Sequence, residues 1–263
     1  MSNATMGRIR LEHVNIRLGQ GADAFDTVQD IDLDIAPGEF VCLLGPSGCG
    51  KSTLLGALAG HLLPSHGGIS VDGVPLAGPH PDRGLVFQQH TLFPWKRVLD
   101  NVAFGLKMKG MTRAERNRRA EELIRLVGLE GFERHYPAQL SGGMRQRVEI
   151  ARVLINHPRV MLMDEPFGAL DAQTRLMMQQ LLLDVWTRMR TTIVFITHDI
   201  DEALFLADRI IVLSAKPATV REVVTVTAAR PRDPERDPEL KRQRANLIEI
   251  FQAIEQQEEE DVA

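Results

Sequence analysis

Eight consecutive residues, 45–52, have the types and spacing that bind phosphate. They read Gly-Pro-Ser-Gly-Cys-Gly-Lys-Ser and match the phosphate-loop pattern completely. Glycines let successive backbone N–H groups converge on one anion, and a helix that starts there adds a favourable dipole. Lys51 supplies a positive charge for the β- and γ-phosphates of a nucleotide, and the Ser52 hydroxyl is a ligand for Mg²⁺. A chance glycine turn matches in only about one of a hundred chains of this size, so we expect a nucleotide site.

An acidic pair follows the apolar run Val160–Met163 and could serve such a site. Asp164 is the candidate metal carboxylate, acting through water because Mg²⁺ keeps much of its hydration shell. Glu165 points differently from its neighbour and is suited to polarise a water for in-line attack on the γ-phosphate. Alone, this pair is as readily a loop start or a helix cap. A phosphate loop in the same chain favours the metal and the attacking water.

Three short apolar runs are expected to form the strands that position these residues. Phe40–Leu44 is typical of a strand buried on both faces, and it leads through the glycine loop into a helical pattern over residues 52–62. Val160–Met163 ends at the acidic pair, and Thr192–Thr197 ends at His198. Ligands of open parallel sheets lie beyond the carboxyl ends of the strands, where all three runs place polar residues. The pattern predicts an α/β fold.

The remaining periodicity divides the chain into three parts. Residues 8–35 alternate and are expected to form further strands, whereas residues 90–157 are mostly helical, with Thr112 and Glu115 spaced as a capping box. The predicted domains are a nucleotide-binding core at 8–89 and 158–226, an inserted helical subdomain at 90–157, and a C-terminal linker and helical tail at 227–263. Helices are also expected at 142–156, 172–189 and 200–207.

Composition narrows the class of protein without indicating a function. The 263 residues carry 31 Lys+Arg against 35 Asp+Glu, a net charge of −4, which argues against broad electrostatic capture of nucleic acid. Cys42 and Cys49 are too few for a disulfide framework, which favours a reducing compartment. Apolar runs are strand-sized and stay well below the roughly 18 residues that a membrane span needs.

A second glycine motif makes the order of motifs recognisable. Leu140-Ser141-Gly142-Gly143 predicts a helix N-terminus capped by Ser141, which would be a second anion site. One bound nucleotide needs only one phosphate loop, so the second anion site calls for an explanation. The order of phosphate loop, Gln88, this motif, the acidic pair, Asp171 and His198 resembles the ATPase subunits of ATP-binding cassette (ABC) transporters over residues 8–226. The resemblance implies a P-loop NTPase (RecA-like) core with a mainly parallel sheet, an antiparallel β portion and an inserted helical subdomain. It also implies ATP and Mg²⁺ as cofactors.

The same resemblance implies a head-to-tail homodimer with ATP enclosed at two equivalent sites. The triphosphate would be held by Gly45, Pro46, Ser47, Gly48, Cys49, Gly50, Lys51, Ser52 and Thr53 of one subunit. Ser141, Gly142 and Gly143 of the other subunit would close over the γ-phosphate, with Asp171 at the dimer seam. By the same carry-over, Mg²⁺ would be held by Ser52, Gln88 and Asp164, and the catalytic residues would be Glu165, His198, Gln88 and Lys51.

Two positions depart from the family pattern. Met144 stands where the motif commonly continues with Gln, and we expect a tuned affinity rather than a loss of function. The aromatic residue that stacks on adenine is replaced at its aligned position by Leu18, and Phe25 is the only aromatic residue close by. Phe25 is therefore the expected stacking residue, with Leu18 as the alternative.

Several segments resemble the nitrate/sulfonate/taurine branch of bacterial importers. They are residues 78–88, 91–95, 100–102 and 164–171. This branch implies uptake of a small oxyanion or organic solute through separate membrane permease subunits, with a periplasmic solute-binding protein. The chain would lie peripherally on the cytoplasmic face of the inner membrane and bind no nucleic acid. Phe93 and Trp95 are either partner contacts or part of the helical core.

Two other functions use the same core. A non-transport ABC-type ATPase acting on nucleic acid or the ribosome usually has long insertions, zinc sites or fused cassettes, for which 263 residues leave no room. A nucleotide kinase would not need the motif around Ser141 or the histidine at 198. The transport ATPase is the expected function.

Overall fold

A computed structural model describes residues 6–19, 21–89 and 91–262. These residues form two compact units, one from the described parts of 1–80 and 192–263 and the other from 81–191. The predicted helical subdomain, 90–157, falls within the second unit. Its bounds, and those of the predicted core and tail, stay a prediction.

The chain opens with strands, has a run of helices in its middle, and alternates between strand and helix from residue 160 to residue 213. The strands are β1 (Ile9–Leu18), β2 (Phe25–Ile35), β3 (Phe40–Leu44), β4 (His66–Val71), β5 (Val74–Pro75), β6 (Arg83–Val86), β7 (Val160–Asp164), β8 (Thr192–Ile196), β9 (Arg209–Leu213) and β10 (Val220–Thr225). The helices are α1 (Lys51–Ala59), α2 (Val98–Val102), α3 (Phe104–Met108), α4 (Arg113–Leu126), α5 (Gly142–Leu154), α6 (Ala172–Met189), α7 (Ile200–Leu206) and α8 (Pro238–Val262).

The first unit combines an antiparallel and a mainly parallel sheet. The antiparallel sheet has the order β2-β1-β4-β5. Ile9, Leu11, Val14 and Ile16 of β1 are buried, so the predicted alternation holds on each side of residues 12–13 and is interrupted there by a register shift. In the other sheet β3 lies between β8 and β9 and is parallel to both, while β10 runs antiparallel along β9. All five residues of β3 are buried, which confirms the expected strand covered on both faces.

The first helix ends earlier than the sequence pattern predicts. The apolar spacing continues to Leu62, but α1 ends at Ala59 because Gly60 has φ 84° in the left-handed region and its N–H bonds to Ala57 O. This is a common glycine C-cap, and it turns the chain out of the helix.

The second unit holds the parallel pair β6–β7 and the helices α2 to α6. Helices α2, α4 and α5 pack around a shared apolar cluster that includes Val98, Ile124 and Val148. The Thr112 hydroxyl caps α4 by accepting a hydrogen bond from Glu115 N at 3.4 Å. The Glu115 carboxylate pairs with Arg118 and Arg119 of the same helix, which lowers its pKa to about 2.

The C-terminal segment folds back onto α7. Leu240, Leu247 and Ile254 of α8 are buried, and Arg244 pairs with Asp201 in the first turn of α7 at 2.7 Å. The preceding linker is anchored by Arg232, whose guanidinium bonds to the carbonyl oxygens of residues 204, 207, 226 and 228. Burial lowers the pKa of this arginine to about 10, so it stays charged at neutral pH.

Candidate functional site

The phosphate loop joins β3 to α1 in the conformation that glycine allows. Gly48 and Gly50 have φ of 79° and 128°, in the left-handed region. A Cβ atom at Gly50 would lie 2.8 Å from Thr27 O, so the close approach of β2 excludes a side chain there. Among the described residues, no side chain caps the N-terminus of α1. A helix N-terminus without a side-chain cap is a common binding place for an anion.

The lysine of this loop is already placed against the backbone that would surround a phosphate. Lys51 is only 6 % exposed, and its Nζ donates to Gly45 O at 2.8 Å and to Pro46 O at 2.7 Å. Ser52 is exposed in the first turn of α1, while Cys49 is buried. The loop thus offers a preorganised cation, uncapped amides and an exposed hydroxyl, which together fit a triphosphate.

His198 lies at the same sheet edge as the phosphate loop. Strands β3 and β8 are parallel neighbours with Leu43 opposite Ile196, so the residues that follow each strand emerge together. His198 is exposed two residues after β8. The next residue caps α7, because Asp199 Oδ1 accepts hydrogen bonds from Asp201 N and Glu202 N at 2.9 and 3.1 Å.

The second unit brings Gln88 and the acidic pair to one edge of the β6–β7 pair. Val86 lies opposite Met163 in parallel register, so these side chains come together at neighbouring strand ends. The exposed Gln88 follows β6, the half-buried Asp164 is the last residue of β7, and the half-buried Glu165 comes directly after it. These are three of the side chains expected to handle Mg²⁺ and the attacking water.

Glu165 has an unusual backbone conformation. Its φ is 41°, whereas Asp164 is still part of β7, so the two neighbouring carboxylates have different backbone settings. A non-glycine residue in the left-handed region is uncommon, and such residues concentrate at functional sites. The turn is closed by a hydrogen bond from Gly168 N to Glu165 O at 3.2 Å.

The second glycine motif forms a capped helix start, as predicted. Ser141 Oγ accepts a hydrogen bond from Met144 N at 3.3 Å at the beginning of α5. This bond uses the backbone of residue 144, so methionine makes it as well as glutamine would. The Ser141 hydroxyl keeps its own proton for a further acceptor.

Thr174 connects this motif to Asp171, a link that the sequence reading missed. Asp171 Oδ1 caps α6 by accepting from Thr174 N at 3.0 Å, and this bond lowers the pKa of the carboxyl. The methyl group of the same threonine would lie 2.7 Å from a Cβ atom built on the buried Gly143. Asp171 directly before the helical pattern of residues 172–189 was the available signal for the cap, since aspartate is a preferred N-cap residue.

We expect the substitution Gly143→Ala to be destabilising because its methyl group meets Thr174. The expected loss is about 1–3 kcal/mol of unfolding free energy, the usual cost of overpacking, measured by urea denaturation. Gly142→Ala is the matched control, since its Cβ would lie 3.7 Å from Leu170 Cδ2, an ordinary contact. Adding Thr174→Ser removes the opposing methyl and should restore the stability of Gly143→Ala. An unchanged stability of Gly143→Ala alone would contradict this packing.

The two candidates for base stacking are cross-strand partners. Leu18 ends β1 opposite Phe25 at the start of β2. Phe25 is 43 % exposed, and Lys216 Nζ lies 3.8 Å from its ring centroid. No local pattern in the sequence links Lys216 to Phe25, because the two residues lie so far apart in the chain.

Phe93 and Trp95 differ in their surroundings. Trp95 is 71 % exposed, so it is not a core residue of the second unit. Phe93 packs on Phe104 with a ring separation of 4.7 Å, and the Lys96 ammonium lies 5.8 Å from the Phe93 ring centroid.

Within the described ranges, none of the helices combines the length and the apolar character required to traverse a lipid bilayer.

Comparison with known proteins decides the family. The family description "ABC transporter" matches residues 28–168 of the chain. This chain belongs to the ABC transporter family. It is 51 % identical over 199 residues to a nitrate import ATP-binding protein of Synechocystis sp., covering 76 % of this chain and 75 % of the relative. It is 53 % identical over 195 residues to a taurine import ATP-binding protein of Yersinia pestis bv. Antiqua, covering 74 % and 76 %.

A solved ABC cassette has the same fold. A dimeric ATP-binding cassette in a post-hydrolysis state, bound to ADP and Pi, matches with a TM-score of 0.73 and 35 % sequence identity, over 84 % of this chain and 100 % of that one. The α/β P-loop NTPase fold and the resemblance to the nitrate and taurine branch are thereby confirmed. The chain is an ABC-type ATPase.

Proposed function

We propose that this chain is the ATP-hydrolysing subunit of a bacterial ABC importer, in which MgATP closes two copies head to tail. The observation that carries the proposal is the presence of two glycine-lined helix N-termini in one chain, at α1 and at α5. One bound triphosphate uses only one of them in its own subunit. The second is explained if it serves the nucleotide of a partner copy.

The phosphate loop is the proposed triphosphate site. Backbone N–H groups of residues 45 and 47–53 bind the phosphate oxygens, since Pro46 has no N–H to donate. Lys51 neutralises charge on the β- and γ-phosphates. Phe25 is the proposed stacking surface for adenine, with its exposed ring at the start of β2.

Ser52, Gln88 and Asp164 are the proposed holders of Mg²⁺. They offer a hydroxyl, an amide and a carboxylate, an oxygen donor set of the kind that Mg²⁺ prefers. When bound, the ion would neutralise negative charge on the β- and γ-phosphates.

Glu165 and His198 are the proposed catalytic pair, together with Gln88 and Lys51. Glu165 accepts a proton from the water that attacks the γ-phosphate, and Gln88 orients that water. His198 contacts the γ-phosphate and holds the Glu165 side chain in place. The left-handed backbone at 165 would support this role by fixing the direction of the side chain.

Closure of the dimer over ATP is the proposed movement that drives transport. Ser141, Gly142 and Gly143 of the partner copy donate to the γ-phosphate, and the Ser141 hydroxyl has its proton available for this bond. Asp171 is proposed to lie at the dimer interface. It accepts a hydrogen bond from Thr174 N, and the methyl group of Thr174 packs against Gly143. Hydrolysis removes the γ-phosphate contact and lets the dimer open.

Transport is proposed through separate membrane permease subunits, with the chain peripheral on the cytoplasmic face of the inner membrane. The similarity to nitrate and taurine import proteins supports a small oxyanion or organic solute, delivered by a periplasmic binding protein. The exposed Trp95 and the region around Gln88 are the proposed permease contacts.

Reconstitution tests this function. The chain is combined in vesicles with permease subunits of a nitrate or a taurine importer, and uptake of labelled nitrate and taurine is measured with the matching binding protein present. We expect MgATP-dependent uptake of one solute class and none with the Glu165→Gln variant. ATP hydrolysis stimulated by nucleic acid or ribosomes, without uptake, would favour the non-transport alternative.

A further inference from the structure

The turn between β9 and β10 presents a lysine to the ring of Phe25. Lys216 Nζ lies 3.8 Å from the ring centroid, which is a close cation–π contact. The turn is braced by Ser214, whose Oγ accepts from Thr219 N at 2.9 Å and lies 3.1 Å from Pro217 O. The lysine therefore projects from a turn with its own internal hydrogen bonds.

The end of β9 and the same turn also pack against the phosphate loop. The Cβ atom of Leu213 would lie 3.2 Å from a Cβ built on Gly45, and that of Ala218 would lie 3.4 Å from one built on Gly50. Backbone bonds then join the turn to β2, because Ala218 N donates to Thr27 O at 2.9 Å. Phe25 lies two residues before Thr27, and Lys216 lies two residues before Ala218. Their contact is thus held at a fixed place beside the phosphate loop.

The contact bears on the orientation of an exposed ring. Phe25 is 43 % exposed at the start of β2. An ammonium group against its π-system favours one orientation of the ring. A ring that is already held in one orientation stacks on a flat ligand at a lower ordering cost.

We propose that Lys216 is a positioning residue for the nucleotide base, acting through Phe25. The inference rests on the proposed function, in which Phe25 stacks on adenine. Lys216 holds the ring in the stacking orientation, and its contribution is made to the base and not to the phosphates.

Calorimetric titration with MgADP and with inorganic tripolyphosphate separates these two contributions. We expect Lys216→Ala to weaken MgADP binding about threefold, the size of an exposed cation–π contact, and to leave tripolyphosphate binding unchanged. Lys216→Arg keeps the cation and should retain wild-type affinity. Phe25→Ala should weaken MgADP about tenfold through lost stacking, and adding Lys216→Ala should cost nothing more. Lys241→Ala, on the exposed face of α8, is the matched lysine control.

Three results would overturn the inference. An equal loss for tripolyphosphate would make Lys216 a phosphate contact. A further loss in the double variant would make it independent of Phe25. Unchanged MgADP affinity in Lys216→Ala would make the contact incidental. If the wild-type chain itself bound no MgADP, the proposed function would fail first, and this inference with it.

Discussion

Replacing Glu165 by glutamine should lower steady-state ATP hydrolysis by at least about 100-fold, the contribution typical of a positioned general base. Glutamine has the same size and keeps the backbone turn at residue 165, but it cannot take a proton from water. MgATP binding should be unchanged, because none of the phosphate-binding groups is altered. The measurement is phosphate release at saturating MgATP, alongside calorimetric binding of MgATP.

The same variant should accumulate as a dimer with MgATP, because closure is followed by no hydrolysis. Size-exclusion chromatography with light scattering reports the mass. Glu121→Gln, an exposed carboxylate on α4, is the control and should hydrolyse ATP at the wild-type rate. Hydrolysis by Glu165→Gln within a few-fold of wild type would exclude this carboxylate as the base.

Replacing Lys51 by alanine should weaken MgATP binding about 100-fold. The ammonium is buried and held by the carbonyls of residues 45 and 46, so it reaches the phosphates already oriented, and charged hydrogen bonds of this kind contribute about 1.5–3 kcal/mol each. The rise in melting temperature that MgATP gives the wild-type chain should disappear, because that shift follows the binding constant.

The lysine also bonds within its own loop, so folding must be measured separately. The melting temperature without nucleotide shows whether Lys51→Ala keeps its fold, and Lys51→Arg keeps the charge with a different shape. Lys107→Ala, exposed on α3, is the control and should bind MgATP normally. Normal MgATP affinity in Lys51→Ala would contradict the phosphate site.

Local patterns in the sequence predicted most of the fold. The strand Phe40–Leu44 and the helix over 172–189 have the predicted bounds. Both were predictable because a continuous apolar run and a helical spacing of apolar residues are patterns among residues close together in the sequence. The cap formed by Ser141 was predicted for the same reason, since an N-cap bond spans only three residues.

Contacts between distant residues were not accessible in this way. The approach of Thr174 to Gly143 and of Lys216 to Phe25 depends on how whole elements pack, and no spacing in the sequence encodes it. The left-handed φ of Glu165 is equally hidden, because glutamate carries no preference for that region. The motifs alone predict the chemical role of each site residue. The structure is needed to show which neighbouring side chains hold those residues in position.

Mixing two inactive variants tests the shared ATP site most directly. Lys51→Ala disables the phosphate loop of one copy, and Ser141→Arg blocks the α5 N-terminus of the other. In a head-to-tail dimer of the two, one site combines both defects and the other has neither. We predict that the mixture regains MgATP hydrolysis that neither variant shows alone, approaching the rate of one intact site per mixed dimer. A mixture as inactive as its separate components would contradict a nucleotide site shared between two copies.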